Sequence, residues 1–471
     1  MRRHSYFTDG SVLAVTRILG TIASAVTLIL LTQILEKEAL GSYAVAIALL
    51  LPLAVLGTLG LDRALLLRIP PIAQHEAKLK GTGLAVQTFG LALLGGSAAG
   101  LIAWSAGPLF LPATEHAGDW MAAVALAVPL ASIALLTRAW LEANDLSAPA
   151  NAMPGITDCS RALMFAAVGA LGLGVLGISA VIILSMALSL AVPTFLASRR
   201  PLVRSPRRLR REDITAGMQH MAMRLCIVAS RMVDLLIVGV LLAPAATADY
   251  AIASRLSSFL DLAQNAFVPT FRPRARRCLR DGRPDLAESE FRVTQVAALL
   301  FTLGALAGLL LFGRWGLSLL GDFEGAFAPL VIMGAGYVVR CGAGDHMSYL
   351  IMRGDVGWPL ALQLGNLGLT IVLCSALAMA WGVEGAAAGA SLAAALTSIL
   401  GAVVAEHRAR ISVFRRSIIL SIAASVTPAL AAVAGVLPPE LAAMTLGIVA
   451  GCLTYASRRS LLGWIAQQRR G

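Results

Sequence analysis

Arg199-Arg200-Pro201-Leu202-Val203-Arg204-Ser205-Pro206-Arg207-Arg208-Leu209-Arg210-Arg211 packs seven arginines into thirteen residues. Six long apolar segments precede this stretch and eight follow it. The chain is 58% hydrophobic and 14% charged, with a mean hydropathy of +0.79. That leaves too little polar surface to cover a soluble particle of 471 residues, so the chain belongs in a bilayer. In hydrocarbon the backbone must satisfy its own hydrogen bonds, which restricts the spanning elements to helices or a closed barrel. The segments are long runs of Leu, Ala, Val and Ile without period-two alternation. The pattern therefore predicts an all-α polytopic protein and excludes a barrel.

Apolar runs of about 20 residues, the length that crosses a core roughly 30 Å thick, predict helices over 11–35, 42–66, 82–106, 120–141, 154–174, 177–197, 214–242, 247–270, 293–313, 326–350, 357–380, 385–405, 417–436 and 440–457. About fourteen transmembrane helices is the expectation. If Arg2 and Arg3 are cytoplasmic, the even-numbered connections should gather the positive charge. Those connections hold Lys78 and Lys80, the seven central arginines, seven more from Arg272 to Arg292, then Arg353, Arg408, Arg410, Arg415 and Arg416. The outward connections hold only Lys37 and Arg314. A shift of one helix would place one of the two large arginine clusters on the wrong side. Both termini of this multi-pass protein are accordingly expected in the cytoplasm.

The net charge of +12 thus reads first as topology, with anionic lipid heads as a secondary contact. The basic stretches lack interleaved aromatic residues, which excludes nucleic acid as a partner. Cys159, Cys226, Cys278, Cys341, Cys374 and Cys452 fall in spans or cytoplasmic connections, so no disulfide framework is expected. With neither Cys-x-x-Cys nor His-x-x-x-His spacing, no metal site is expected, and no cofactor. The first apolar run is too long for a cleavable signal and should stay as an anchor.

Residues 11–198 and 214–405 each supply six spans, and each half opens on a long helix with a buried arginine, Arg17 or Arg224. This weak internal symmetry resembles a two-bundle transporter. The expected organisation is an N-terminal bundle over 1–198, an Arg-rich linker over 199–213, a second bundle over 214–405, two extra helices over 406–457 and an amphipathic cytoplasmic tail over 458–471.

Chemistry should lie in charges placed inside spans, since each costs at least ~3 kcal/mol at the bilayer centre unless it faces a cavity or a partner. His220, Arg224 and Arg231 follow at spacings of four and seven, one face of a continuous helix, and Asp234 follows Arg231 by three. Arg17, Asp62, Arg63, Asp158, Arg161, Arg255, Asp261, Arg340, Asp345 and His346 are further charges within spans. A cavity lined by Arg17, Arg224, Arg231, Arg255 and Arg340 would suit phosphate oxygens, which a guanidinium fork binds bidentately. Bland readings stand beside this one. Arg17 is close enough to the boundary to snorkel. Asp62 with Arg63, Asp158 with Arg161, and Arg231 with Asp234 could each be structural ion pairs. No catalytic residue is expected.

Several stretches resemble one family. Glu36-Lys37-Glu38-Ala39-Leu40-Gly41-Ser42-Tyr43-Ala44 with Leu56-Gly57-Thr58-Leu59-Gly60-Leu61 is similar to the first and second helix region of the polysaccharide-transporter branch of the multidrug/oligosaccharidyl-lipid/polysaccharide exporter superfamily. Asp234 followed by Ala248-Asp249-Tyr250-Ala251-Ile252-Ala253-Ser254-Arg255-Leu256 resembles its seventh and eighth helices. Trp381-Gly382-Val383-Glu384-Gly385-Ala386-Ala387-Ala388-Gly389-Ala390 resembles its join between helices eleven and twelve. The resemblance implies two six-helix bundles in a V around a central cavity, lined by helices one, two, seven and eight, and a flippase for lipid-linked oligosaccharides. By carry-over Arg17, Arg63, Arg224, Arg231 and Arg255 would grip the pyrophosphate and acidic sugars, with Arg340 as a further basic residue. Asp234 and Asp261 would serve coupling or ion pairing.

The substrate expected on this basis is an undecaprenyl-pyrophosphate-linked oligosaccharide for O-antigen, capsule or exopolysaccharide assembly. Membrane lipids, a glycan polymerase and a chain-length regulator are the expected partners. Two rivals from the same superfamily are a multidrug or metabolite antiporter and a peptidoglycan-precursor flippase. The peptidoglycan-precursor branch usually carries more than one arginine in its first helix, where Arg17 stands alone. A cationic drug would be repelled by cavity arginines. A membrane-embedded glycan-transferring enzyme is a third alternative, but the outward connections are too short to carry a catalytic loop.

Overall fold

The computed structural model describes residues 19–20, 22–68, 82–111, 116–143, 146–198, 211–355 and 357–468. Arg17, Lys78, Lys80 and the arginines of 199–210 lie outside the described residues. Those described are almost entirely helical, with no strand among them.

Nine of their helices are long and apolar enough to cross a membrane. The helices run α1 (Ile22–Ile34), α2 (Lys37–Gly57), α3 (Leu61–Arg68), α4 (Thr82–Phe110), α5 (Ala117–Ala143), α6 (Ser147–Leu171), α7 (Gly174–Ser198), α8 (Arg211–Ala229), α9 (Val233–Leu241), α10 (Pro244–Ser257), α11 (Leu262–Arg280), α12 (Pro284–Ser318), α13 (Phe327–Ala343), α14 (His346–Met352), α15 (Gly357–Ala409), α16 (Arg416–Val433) and α17 (Pro439–Gln468). α15 is 53 residues long and contains two spans, joined where Trp381 and Gly382 leave helical geometry. Together with the first, fifth, seventh and eighth segments, which are shorter, more polar or broken, these helices account for the fourteen expected spans. α4 shows how the apolar runs meet lipid: Leu94, Leu101 and Leu109, spaced seven and eight apart on one helical face, are all strongly exposed. α17 continues unbroken to Gln468, so residues 458–468 extend the last helix and do not form a separate one. Its 30 residues measure about 45 Å, which exceeds the hydrocarbon thickness.

The chain divides into two compact units, Met1–Val240 and Leu241–Gly471. Within the first, α4 and α7 pack on α5, α6 packs on α7, and α8 packs on α2 and α3. Small residues and a proline let α4 and α5 approach closely. Pro129 cannot donate to the carbonyl of Ala125, and Gly100 has no Cβ to collide with that oxygen. Ser132 of α5 places its hydroxyl 3.0 Å from both Val128 O on its own helix and Ala54 O on α2. It supports the last turn of α2, just before that helix breaks.

In the second unit α12 packs on α17, α13 on α15 and α16, and α16 on α17. The coil that leads into α16 is tied down by polar groups. The Glu406 carboxylate accepts the N–H groups of Val413 at 2.9 Å and Phe414 at 2.8 Å. Ser412 donates its hydroxyl to Glu288 at 2.6 Å, and Arg292 donates to the same oxygen at 2.6 Å. Gln295 of α12 donates to Gly342 O and to Val413 O. Glu406→Gln keeps the shape of the side chain but gives up charge-assisted acceptance of two backbone N–H groups. We expect a loss of roughly 1–2 kcal/mol, read as a lower midpoint of thermal unfolding in detergent.

Candidate functional site

The second membrane segment is broken at Thr58, Leu59 and Gly60. Thr58 closes α2, donating its N–H to Ala54 O at 3.1 Å and its hydroxyl to Val55 O at 2.7 Å. Leu59 and Gly60 then take φ of 51° and 72°. The left-handed region costs a leucine about 1–2 kcal/mol and a glycine almost nothing. The turn starts α3 at Leu61 and puts Asp62 in its first turn, where the helix dipole favours a carboxylate.

α8 crosses this turn backbone to backbone. A Cβ on Gly217 would lie 2.7 Å from the carbonyl oxygen of Gly60, and a Cβ on Gly60 would overlap the peptide of Gly217. Seven residues beyond Gly217, on the same face of α8, Arg224 forms an ion pair through its Nη1 with Asp62 Oδ2. The Asp62 side chain is 6% exposed and that of Arg224 is 31% exposed. His220, half-buried on α8, lies within electrostatic reach of Asp62, Arg63 and Arg224. Arg63 is exposed beside Asp62. Asp62 thus finds its partner on another segment, 162 residues away.

Arg63 and Arg224 stand against the single carboxylate of Asp62 in this group, which leaves it with excess positive charge. A guanidinium has five N–H donors, and Asp62 engages Arg224 through Nη1 alone. The exposed third of Arg224 can therefore take oxygens of a second anion without desolvating a new charge.

Arg231 and Asp234 do not continue this face. α8 stops at Ala229, and Ser230, Arg231 and Met232 form a tight turn in which Arg231 N donates to Val228 O at 3.1 Å and Met232 N to Ala229 O at 3.0 Å. The one-face expectation assumed an unbroken helix, and the turn resets the rotation. It holds neither Gly nor Pro, so no residue type marks it in the sequence. Arg231 is exposed in the turn, and Asp234 is half-buried in the first turn of α9.

In the second unit, Arg255 is exposed in the last turn of α10. A short 3-10 helix, Ser258–Asp261, interrupts the segment directly after it. Ser258 donates its hydroxyl to Arg255 O at 2.6 Å. Asp261 ends this 3-10 turn, and its side chain lies outside the described residues. Arg340 sits in the last turn of α13 with its guanidinium 5.8 Å from the Tyr337 ring. The segment breaks next at Gly344, φ 64°. Arg340, Asp345 and His346, expected on one span, are therefore split by this break. Asp345 takes an ion pair at 3.3 Å from Arg272 on α11. His346 is buried with Nδ1 3.0 Å from Gly344 O, which ties the ring to the break itself. Segments two, seven, eight and ten are each interrupted beside their charges, as expected where irregular backbone is buried in protein or lines a cavity.

On α6, Asp158 lies near Gly20, just ahead of α1. A Cβ on Gly20 would meet Gly155 Cα at 3.3 Å and Asp158 Oδ2 at 3.4 Å. The buried Nε and Nη2 of Arg161 have no hydrogen-bond partner among the described residues.

The fold is that of transporters of the multidrug/oligosaccharidyl-lipid/polysaccharide (MOP) superfamily. The chain belongs to the polysaccharide biosynthesis protein family, which matches it over residues 7–273, more than half its length. An inward-facing multidrug resistance MATE family transporter of the MOP superfamily is similar in structure with a TM-score of 0.72 at 13% identity, over 82% of this chain and 94% of that one. The lipid II flippase MurJ in an inward closed conformation is similar with a TM-score of 0.67 at 12% identity, over 97% of this chain and 100% of that one. A MOP superfamily transporter from Pyrococcus furiosus, described as having a binding pocket of reverse polarity, is similar with a TM-score of 0.58 at 14% identity, over 84% and 93%. No curated protein matches the chain.

Proposed function

We propose that this protein is a flippase that moves an undecaprenyl-pyrophosphate-linked oligosaccharide across a bacterial inner membrane by alternating access, for O-antigen, capsule or exopolysaccharide assembly. The observation that carries this reading is the arginine-rich group at the break of the second segment, where Arg224 is held by Asp62 yet keeps an open side. A pyrophosphate supplies the oxygens that such a guanidinium binds, and family membership supplies the link to polysaccharide. Arg63 and Arg224 belong to this site in the first unit. Arg17, Arg231, Arg255 and Arg340 are proposed as further contacts along the path, and Asp234 and Asp261 as coupling or pairing groups. The polyprenyl tail stays in lipid, and the flipped product passes to a glycan polymerase and its chain-length regulator. The work asked of this chain is positioning and charge stabilisation, with no bond made or broken.

The test is deletion of the gene followed by extraction of membrane lipids. Lipid-linked oligosaccharide should accumulate on the inner leaflet while surface polysaccharide disappears. Unchanged polysaccharide together with altered sensitivity to toxic compounds would replace this reading with that of a drug antiporter, to which the likeness to the MATE transporter lends some weight. Arrest of cell-wall synthesis would favour a peptidoglycan precursor as the cargo.

A further inference from the structure

We infer that Asp62 is the release group of the site: it competes with the cargo's pyrophosphate for Arg224 and, by retaking the guanidinium, ejects the cargo at the end of each cycle. This rests on the proposed pyrophosphate cargo. Arg224 is the guanidinium that Asp62 engages, and the two come from segments separated by 162 residues. With Asp62 only 6% exposed, its carboxylate cannot turn to water when the guanidinium leaves. An unpaired buried carboxylate is costly, so an anion that docks on the open side of Arg224 and then draws it away from Asp62 binds against that cost. The same cost drives Arg224 back once the anion's grip loosens.

The backbone around the pair makes such an exchange local. Asp62 stands directly after a turn at Leu59 and Gly60, and α8 ends five residues after Arg224. Short breaks on both sides let either helix end rotate without unwinding a whole span. The Gly60–Gly217 crossing keeps the two backbones in contact, so Asp62 stays within reach of Arg224 throughout. Arg63 keeps the surroundings positive, which favours an incoming anion over water.

Asp62→Asn removes the competitor while preserving side-chain volume. Bound to the purified variant in nanodiscs, farnesyl diphosphate should show an affinity about tenfold tighter than with the wild type, a difference expected for one charge-assisted contact. Polysaccharide export in cells should fall at least tenfold all the same, because the cargo leaves slowly. Asp62→Glu should restore wild-type affinity and most of the export. In an Arg224→Ala background Asp62→Asn should bring no tightening, since the competition it relieves is gone. Unchanged or weaker binding by a folded Asp62→Asn protein overturns the inference, as does tighter binding with undiminished export. Inorganic pyrophosphate serves as the second probe. Tightening seen with it and not with the lipid upholds Asp62 as competitor and overturns the lipid-linked cargo. Absence of binding by the wild type to either probe overturns the pyrophosphate reading itself.

Discussion

Arg224→Ala is expected to abolish glycan export, a loss of at least a hundredfold, while the protein still inserts into the membrane. Removing a charge-assisted bidentate contact at a partly desolvated site costs about 3–4 kcal/mol of binding, which is two to three powers of ten in occupancy. The substitution also strands Asp62, whose side chain is 6% exposed, as an unpaired carboxylate. That is worth about 3–5 kcal/mol of stability. The double variant Asp62→Asn/Arg224→Ala separates the two effects: it removes the stranded charge, so its thermal midpoint should return toward the wild type while export stays absent. Recovery of export in the double variant would make the pair structural and remove Arg224 from the site. Arg255→Ala should lose export as well, with little change in stability, because Arg255 is exposed at the end of its helix.

Gly60→Ala should be among the most damaging single substitutions in the first unit. Gly60 sits at φ 72°, a region that costs a residue with a side chain about 1–3 kcal/mol. The added Cβ would also overlap the backbone of Gly217, and forced overpacking costs about 1–3 kcal/mol more. We expect a total of roughly 2–6 kcal/mol, read as a large drop in thermal midpoint and in the level of protein in the membrane. Gly169, whose Cβ would lie 3.1 Å from the end of the Ile34 side chain, faces a flexible neighbour and should tolerate alanine far better. Equal damage at both positions would mean that the close crossing of α3 and α8 does not govern the stability of this unit.

The site was only partly legible in advance. Arg224 stands out in the sequence because it lies in an apolar run with no acid at helical spacing, and it is the residue that the fold pairs with Asp62. Its partner did not follow from any local rule. Asp62 precedes Arg63 and reads naturally with it, whereas the folded chain gives it Arg224 from 162 residues away. Small residues flank both glycines, Gly57 and Thr58 before Gly60 and Thr215 and Ala216 before Gly217, but nothing local pairs the two stretches as a crossing. Ser132 looks like any serine in a span, although its hydroxyl reaches the last turn of α2. The break at Ser230, Arg231 and Met232 has no Gly or Pro, so counting by 3.6 through Arg231 to Asp234 placed both on a face that the backbone does not continue.

The sequence by itself determined that the chain crosses a membrane about fourteen times as helices, because hydrocarbon demands that every backbone group be satisfied within its own segment and about twenty apolar residues suffice for each crossing. It also marked the charges that need a cavity or a partner, since a charge in such a run is too costly to stand alone. Only the tertiary structure decided where the helices break and which charges meet. Those outcomes depend on contacts between segments far apart in the chain: a backbone crossing that only glycine permits at Gly60 and Gly217, and a buried carboxylate whose cost is met by an arginine on another helix.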